Sequence, residues 1–450
     1  MVAKHQMDLT SGSIFKKLLV FAAPLIFMNV LQLLFNATDI AVLGMMVNDK
    51  AVAAVGANTS IINLLVNTFI GLSVGTSVVL GKSVGANSLE KSRRIVGTAT
   101  LTALIIGVVL LFIGFFGAET FLIWTECDQS ILAPATKYLQ IYFLGMPIMM
   151  LYNFTAGMLR AVGDTFRPMI YLLISGVANV LLNVFFISLG LTVEGVAIGT
   201  VASQGISAVL SIIAMLKHEG HCKLDLKRLK IYKQELVEVL KIGVPSGLQS
   251  SMFSISNVII ATTINSLGVA YTTGNAVASQ FDAFVYTMGN STAVACMSFI
   301  SQNLGAKKFR RIRRALFTAI GISTVLSLSL GSLVYLISDS LCSIMTQDPV
   351  VMSIAKERLL MLCFTYCLCS IMDILAYALR ALGKSTTSMV ISLIFACAFR
   401  ILWLNTFFLL NPTFMMIYWS YPISWVMSII VFGIFFIYSL NKLKKRELCQ

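Results

Sequence analysis

Blocks of 18 or more mostly apolar residues recur along the whole 450-residue chain, and that recurrence limits what it can fold into. Blocks of this length match the hydrocarbon thickness of a bilayer, and inside lipid every backbone polar group needs an internal partner, which leaves helices as the spanning structure. A soluble protein with a large core is excluded: the chain is 58% hydrophobic and 12% charged, with a mean hydropathy of +0.88. Twelve spans are expected, at about residues 18–42, 55–80, 96–117, 136–158, 169–189, 195–216, 242–264, 276–300, 315–337, 355–378, 387–409 and 415–438. The first block is too long for a signal peptide and no small-residue cleavage site follows it, so it reads as the first span. The fold class is therefore an all-α membrane protein.

The formal net charge of +14 would suit an anionic partner if it formed a patch, but the basic residues alternate with the spans. Lys16 and Lys17, Lys82 to Arg94, Arg160 and Arg167, Lys217 to Lys241, Lys307 to Arg314, Arg380 and Lys384, and Lys442 to Arg446 all fall on one side. Asp49, Glu119, Glu126, Asp128, Asp339 and Asp348 fall on the other. By the positive-inside rule both termini are expected in the cytoplasm, and the excess charge reads as an orientation signal rather than nucleic-acid binding.

The second half repeats the first. SVGANSLEKSRR (83–94) matches QNLGAKKFRRIRR (302–314) at Gly85/Gly305, Ala86/Ala306 and Arg94/Arg314, and MLRAVGDTFRPM (158–169) matches ALRALGKSTTSM (378–389), both 220 residues apart. Pro24 and Pro245, near the starts of the first and seventh spans, pair at nearly the same offset. The chain thus divides into a six-helix N-lobe (1–216), a basic linker (217–241) and a six-helix C-lobe (242–450), which are parallel repeats with a path between them expected. His218, His221 and Cys222 cluster in the linker, which is read as a solvated segment rather than a metal site. The odd number of cysteines, mostly at membrane depth, gives no disulfide framework.

Polar side chains inside the spans are arranged on faces. Asn29, Gln32, Asn36 and Asp39 are spaced 3, 4 and 3 residues apart, so they share one face of the first span. Ser175, Asn179 and Asn183 do the same in the fifth span, Thr200, Ser203, Gln204, Ser207 and Ser211 in the sixth, and Ser246, Gln249, Ser250, Ser254 and Asn257 in the seventh. Such faces must meet one another or water. Small hydroxyls are explained by interhelical hydrogen bonding, but a mid-span aspartate costs roughly 2.5–3.5 kcal/mol to insert. Asp39 corresponds to Ile260 in the repeat, so only the N-half keeps the acid, and Asp39 is the expected site of a small hard cation or a proton. Asp282 and Arg400 fall ~9 and ~13 Å from the outer ends of their helices at 1.5 Å per residue, which makes them a candidate pair. Asp373 lies nearer the other end and is a further coupling or substrate candidate. GTSVVLGKS (75–83) resembles a phosphate-binding loop but has one residue too many between its glycines. No hydrolytic or dinucleotide motif appears, and an enzyme is not expected.

Taken in order, LQLLFNATDIAVLG with AVAAVGAN, SVGANSLEKSRR with QNLGAKKFRRIRR, and LRAVGDTFRPM with LRALGKSTTSM resemble the multidrug and toxic compound extrusion (MATE) family from about Ile14 to Leu440. That resemblance implies two six-helix lobes that export small cationic, amphipathic compounds in exchange for sodium ions or protons, as a monomer in the plasma membrane of a prokaryote. It implies a cation site at Asp39, Asn179, Asn183 and Thr200, with no other cofactor. Gln32, Asn36, Asn257, Asp282, Asp373 and Arg400 are the candidate substrate-cavity or coupling residues. Asn183 stands where relatives often have Asp, Phe253 stands where some have an acid in the seventh span, and Asp373 is about one turn from the tenth-span acid of others. A lipid-linked oligosaccharide flippase of the same superfamily is the alternative, which would be expected to show a cationic cavity.

Overall fold

The computed structural model describes residues 6–448, and helices account for almost all of them. In chain order they are α1 (Ile14–Met46), α2 (Asp49–Gly85), α3 (Leu89–Trp124), α4 (Gln129–Leu144), α5 (Met146–Ala161), α6 (Phe166–Ser188), α7 (Val193–Leu216) and α8 (Lys233–Asn265). Then follow α9 (Val269–Gly305), α10 (Phe309–Leu336), α11 (Ser338–Met345), α12 (Pro349–Ala381), α13 (Ser385–Ser392), α14 (Phe399–Asn405), α15 (Phe407–Leu410) and α16 (Phe414–Leu448). Among the described residues ten helices are long and apolar enough to cross a membrane, and an eleventh span forms if α4 and α5, bent by 50° at Gly145, are taken together. The expected seventh span is helical throughout in α8, but its run of serines and Gln249 keeps it out of that apolar set.

The repeat is visible in the element boundaries, since α2 and α9, and α3 and α10, begin and end at or near positions 220 residues apart. The shared motifs turn out to be helix ends. Ala86, Asn87 and Ser88 donate to Lys82, Val84 and Ser83 carbonyls, and Ala306, Lys307 and Lys308 donate to Gln302, Leu304 and Asn303 in the same pattern. Asn87 and Lys307 take φ of 53° and 57° to close these caps. Gly163 and Gly383 (φ 96° and 82°) end α5 and α12 likewise. At Gly163 a Cβ would also stand 2.2 Å from the Met7 carbonyl oxygen, so close approach reinforces the need for glycine.

The chain forms two compact units. One comprises Phe27–Gly247 with the residues preceding Leu9, and the other Leu9–Ile26 with Leu248–Gln450. Helices α1 and α8 each contribute to both, and the divisions fall shortly after Pro24 and Pro245, which sit inside these helices. In the first unit α3 packs on α4 and α5, α2 on α5, and α6 on α7. In the second, α12 is the central rod, packed on α9, α10 and α16. Close packing uses glycine where helices touch: a Cβ on Gly71 of α2 would meet the Gly247 backbone at 2.4 Å.

The linker is a correction to the solvated segment expected from its composition. His218 (2% exposed) and Cys222 (0%) are buried against the first unit. Gly220 N–H donates to His218 Nδ1 at 2.9 Å, His221 Nδ1 lies 2.9 Å from Ser92 Oγ, and His221 Nε2 lies 3.3 Å from Asn87 Oδ1. Tyr232 N–H donates to Thr98 Oγ1 and Lys91 pairs with Glu238 at 3.0 Å. No metal-binding group occurs among the described residues.

Burial pushes both imidazoles below the usual histidine range; Arg167 and His221 add to the effect at His218, and Asp164 lies nearby, paired with Arg167. Depressed histidines favour the docked linker above their free value of about 6.5, and the contribution is lost as pH falls below it. Amide hydrogen exchange across residues 217–232 is therefore expected to be slow at pH 8 and to accelerate on acidification below about pH 6. His218→Gln with His221→Gln should flatten that dependence.

Candidate functional site

In the first unit, α1 turns its polar face toward α6 and α7. Asp39 is half-buried, and Asn183 Nδ2 donates to Asp39 Oδ1 at 2.6 Å. One turn earlier on α6, Asn179 Nδ2 donates to Thr200 Oγ1 of α7 at 3.3 Å, and Ser175 Oγ donates to the Ser203 carbonyl at 2.6 Å. The four residues expected at the cation site are thus brought together by 3–4 residue spacing on three adjacent helices. Asn179 and Asn183 are 5% and 0% exposed, so these amides are withdrawn from solvent. Gly199 makes room for them, since a Cβ there would stand 2.2 Å from Asn183 Oδ1.

A small cavity of about 50 Å3 opens beside the carboxylate, lined by Gln32, Asn36, Asp39, Asn179, Thr200 and Gln204 among others. It has space for a hydrated ion or one or two waters. Asn183 Oδ1 is buried without a hydrogen-bond partner, an acceptor left over in a place that lipid cannot satisfy. Asp39 forms no ion pair among the described residues. Tyr138 and Tyr142 of α4, both buried, also lie near the carboxylate. Sequence reasoning missed them, because two tyrosines four apart in an apolar run give no signal beyond packing.

The C-half candidates are not gathered into one site. Asp282 of α9 does not pair with Arg400: its partner is Arg358 of α12, with Nη2 to Oδ2 at 2.7 Å and Nε to Oδ2 at 2.8 Å. Arg358 also donates to the Asn275 carbonyl and side chain, and Tyr418 OH donates to Asn275 Oδ1. Depth along a helix was right for Arg400, but its direction was not. Its Nε donates to Ser424 Oγ at 3.0 Å and its guanidinium lies over Tyr421 at 4.2 Å and Trp425 at 5.8 Å. A π-helical turn, Leu393–Ala398, precedes it. Asp373 lies beside Tyr286 and Asn290, with Oδ2 buried and unbonded. Asn257 is exposed on α8, whereas Gln249 of the same stripe donates to Ser392 Oγ at 2.6 Å.

Comparison with known proteins covers nearly the same extent as the repeat. The chain is 27% identical over 389 residues to the probable multidrug resistance protein YoeA of Bacillus subtilis, covering 85% of this chain and 84% of that one. It is 22% identical over 352 residues to the multidrug export protein MepA of Staphylococcus aureus, covering 76% of each. The fold superimposes on an outward-facing multidrug resistance MATE family transporter of the MOP superfamily with a TM-score of 0.90, at 19% identity, over 97% of this chain and 98% of that one. A MOP superfamily transporter from Pyrococcus furiosus, described as having a binding pocket of reversed polarity, superimposes with a TM-score of 0.87 at 19% identity and the same coverage. The MatE family model matches residues 24–185 and again 245–404, one match per half, and the chain belongs to that transporter family.

Proposed function

We propose that this chain exports cationic amphipathic compounds by alternating access, driven by exchange for sodium ions or protons at Asp39. The single observation that carries the coupling is the Asp39–Asn183 contact with its orphaned amide oxygen. An ionised Asp39 accepts from the Asn183 amide. When a proton or a sodium ion arrives, the group facing the carboxylate has to be an oxygen, and rotation of the amide presents Oδ1, with Thr200 Oγ1 and Asn179 Oδ1 as further oxygen ligands for a hard cation. Occupancy thereby changes how α1 is held against α6 and α7. The ion drives transport to the extent that its affinity differs between the two states of this packing.

The multidrug names of the relatives support the substrate class, and the distribution of basic loops supports a plasma-membrane protein with both termini cytoplasmic, acting as a monomer. The flippase alternative is less well supported: Arg358 adds a second buried base, but Asp282 neutralises it.

Ethidium efflux from proteoliposomes tests this. An imposed inward sodium or proton gradient is expected to accelerate efflux at least about fivefold over vesicles without a gradient, as expected for a coupling of 1 kcal/mol or more. Equal efflux with and without either gradient would remove the coupling.

A further inference from the structure

The start of α10 carries a basic pocket for which neither ion coupling nor orientation accounts. Arg310, Arg311, Arg313 and Arg314 line an open cavity of about 790 Å3 together with Ile14, Phe317 and the backbone of Gly12 and Ser13. The chain between Asp282 and Asp339 contains no acidic residue. Arg310, Arg313 and Arg314 are exposed and form no ion pair among the described residues. Arg311 has a different task. It donates to the carbonyls of Leu9, Ser11 and Gly12, while Lys308 donates to that of Thr10 and Asn303 to that of Leu9, so the segment before α1 is strapped down as one wall of the cavity. The first turn of α10 has no acid and no side-chain cap, and its free N–H groups add to the positive field.

The repeat provides an internal control. At the equivalent positions, 220 residues earlier, stand Glu90, Lys91, Arg93 and Arg94. Arg94 pairs with Glu90 at 2.5 Å and lies over the Tyr232 ring at 5.3 Å, and Lys91 pairs with Glu238 at 3.0 Å. The N-half cluster is thus neutralised by its own acids and covered by the linker. In the C-half Glu90 is replaced by Arg310, so a local counter-ion becomes another base. Buried Gly97 is replaced by Phe317, which is 59% exposed.

We infer that this pocket binds the phosphate headgroup of an anionic membrane lipid. Three guanidiniums without counter-ions match a phosphodiester, which Arg recognises through paired N–H donors. The apolar part of the occupant follows from the lining: Phe317 and Ile14 lie at the edge of spanning segments, where an acyl chain runs along the helix while the headgroup stays with the arginines. A soluble phosphate would use the arginines and leave the exposed phenyl ring without a role. The site is confined to the second unit and does not depend on the Asp39 coupling.

The test is retention of phosphatidylglycerol by the purified full chain in neutral detergent, measured by native mass spectrometry against phosphatidylcholine. The native protein is expected to retain phosphatidylglycerol selectively. Arg310→Gln, Arg313→Gln and Arg314→Gln together should weaken retention about 100-fold, from the usual attraction of each basic side chain to an anionic surface. Gln at Lys442, Lys444 and Lys445, an equal charge change elsewhere, should leave it unchanged. If the triple variant fails to fold, Arg313→Gln alone carries the comparison, with about a fivefold loss expected. Undiminished retention by the arginine variants would overturn the site. Displacement of the lipid by inorganic phosphate at equal concentration would overturn the lipid as its occupant.

Discussion

Asp39→Asn is expected to abolish gradient-driven efflux while leaving the protein folded. Initial rates of ethidium export from proteoliposomes under a sodium or proton gradient should fall at least about tenfold, to the rate seen without a gradient, because asparagine neither titrates nor supplies the charge that a cation needs. The amide is nearly isosteric and can still bond Asn183, and removing a half-buried charge relieves an insertion cost, so the thermal unfolding midpoint should stay the same or rise. Loss of export together with loss of fold would make Asp39 structural. Retained gradient dependence would move the coupling elsewhere, and Asp373, with its unbonded Oδ2, would become the next carboxylate to test.

The second large effect belongs to the C-half. Asp282 and Arg358 are both largely withdrawn from solvent, with side-chain exposures of 4% and 12%. Truncating either one leaves the other as an uncompensated buried charge, which typically costs about 3–5 kcal/mol. Asp282→Ala and Arg358→Ala should each lower the unfolding midpoint in detergent by many degrees. Replacing both, as Asp282→Asn with Arg358→Gln, should restore much of the loss, because no isolated charge remains and Asn275 and Tyr418 can still be bonded. Simple additivity of the two single variants would contradict the pairing.

The two cases differ in how far the sequence foretold them. The Asp39 constellation was legible because every member lies on a polar stripe, and stripes on neighbouring helices in a membrane have to face one another. The duplication was legible because its most repeated letters, Gly85 with Ala86 and Gly305 with Ala306, lie at helix ends whose backbone geometry is restrictive. The partner of Asp282 was not. Helical rise gives depth, but which side chain meets it depends on the rotation of each rod about its axis, and that is set by packing of α9, α12 and α16. Arg358 itself sits in the run KERLL, where a base near a span end reads as interfacial. The break at Gly145 and the π-helical turn before Arg400 left no turn residues beyond one glycine and a Pro147 placed early in the next helix. The linker misled by composition: its charges are at the surface, but His218 and Cys222 between them are buried.

The most direct test of the coupling is to count ions at the site itself. Purified protein in detergent should bind radioactive sodium, or take up a proton near neutral pH, with one equivalent per chain released when ethidium is added and none bound or released by Asp39→Asn. Full binding and release by the variant would show that the carboxylate facing Asn183 is not where the ion sits.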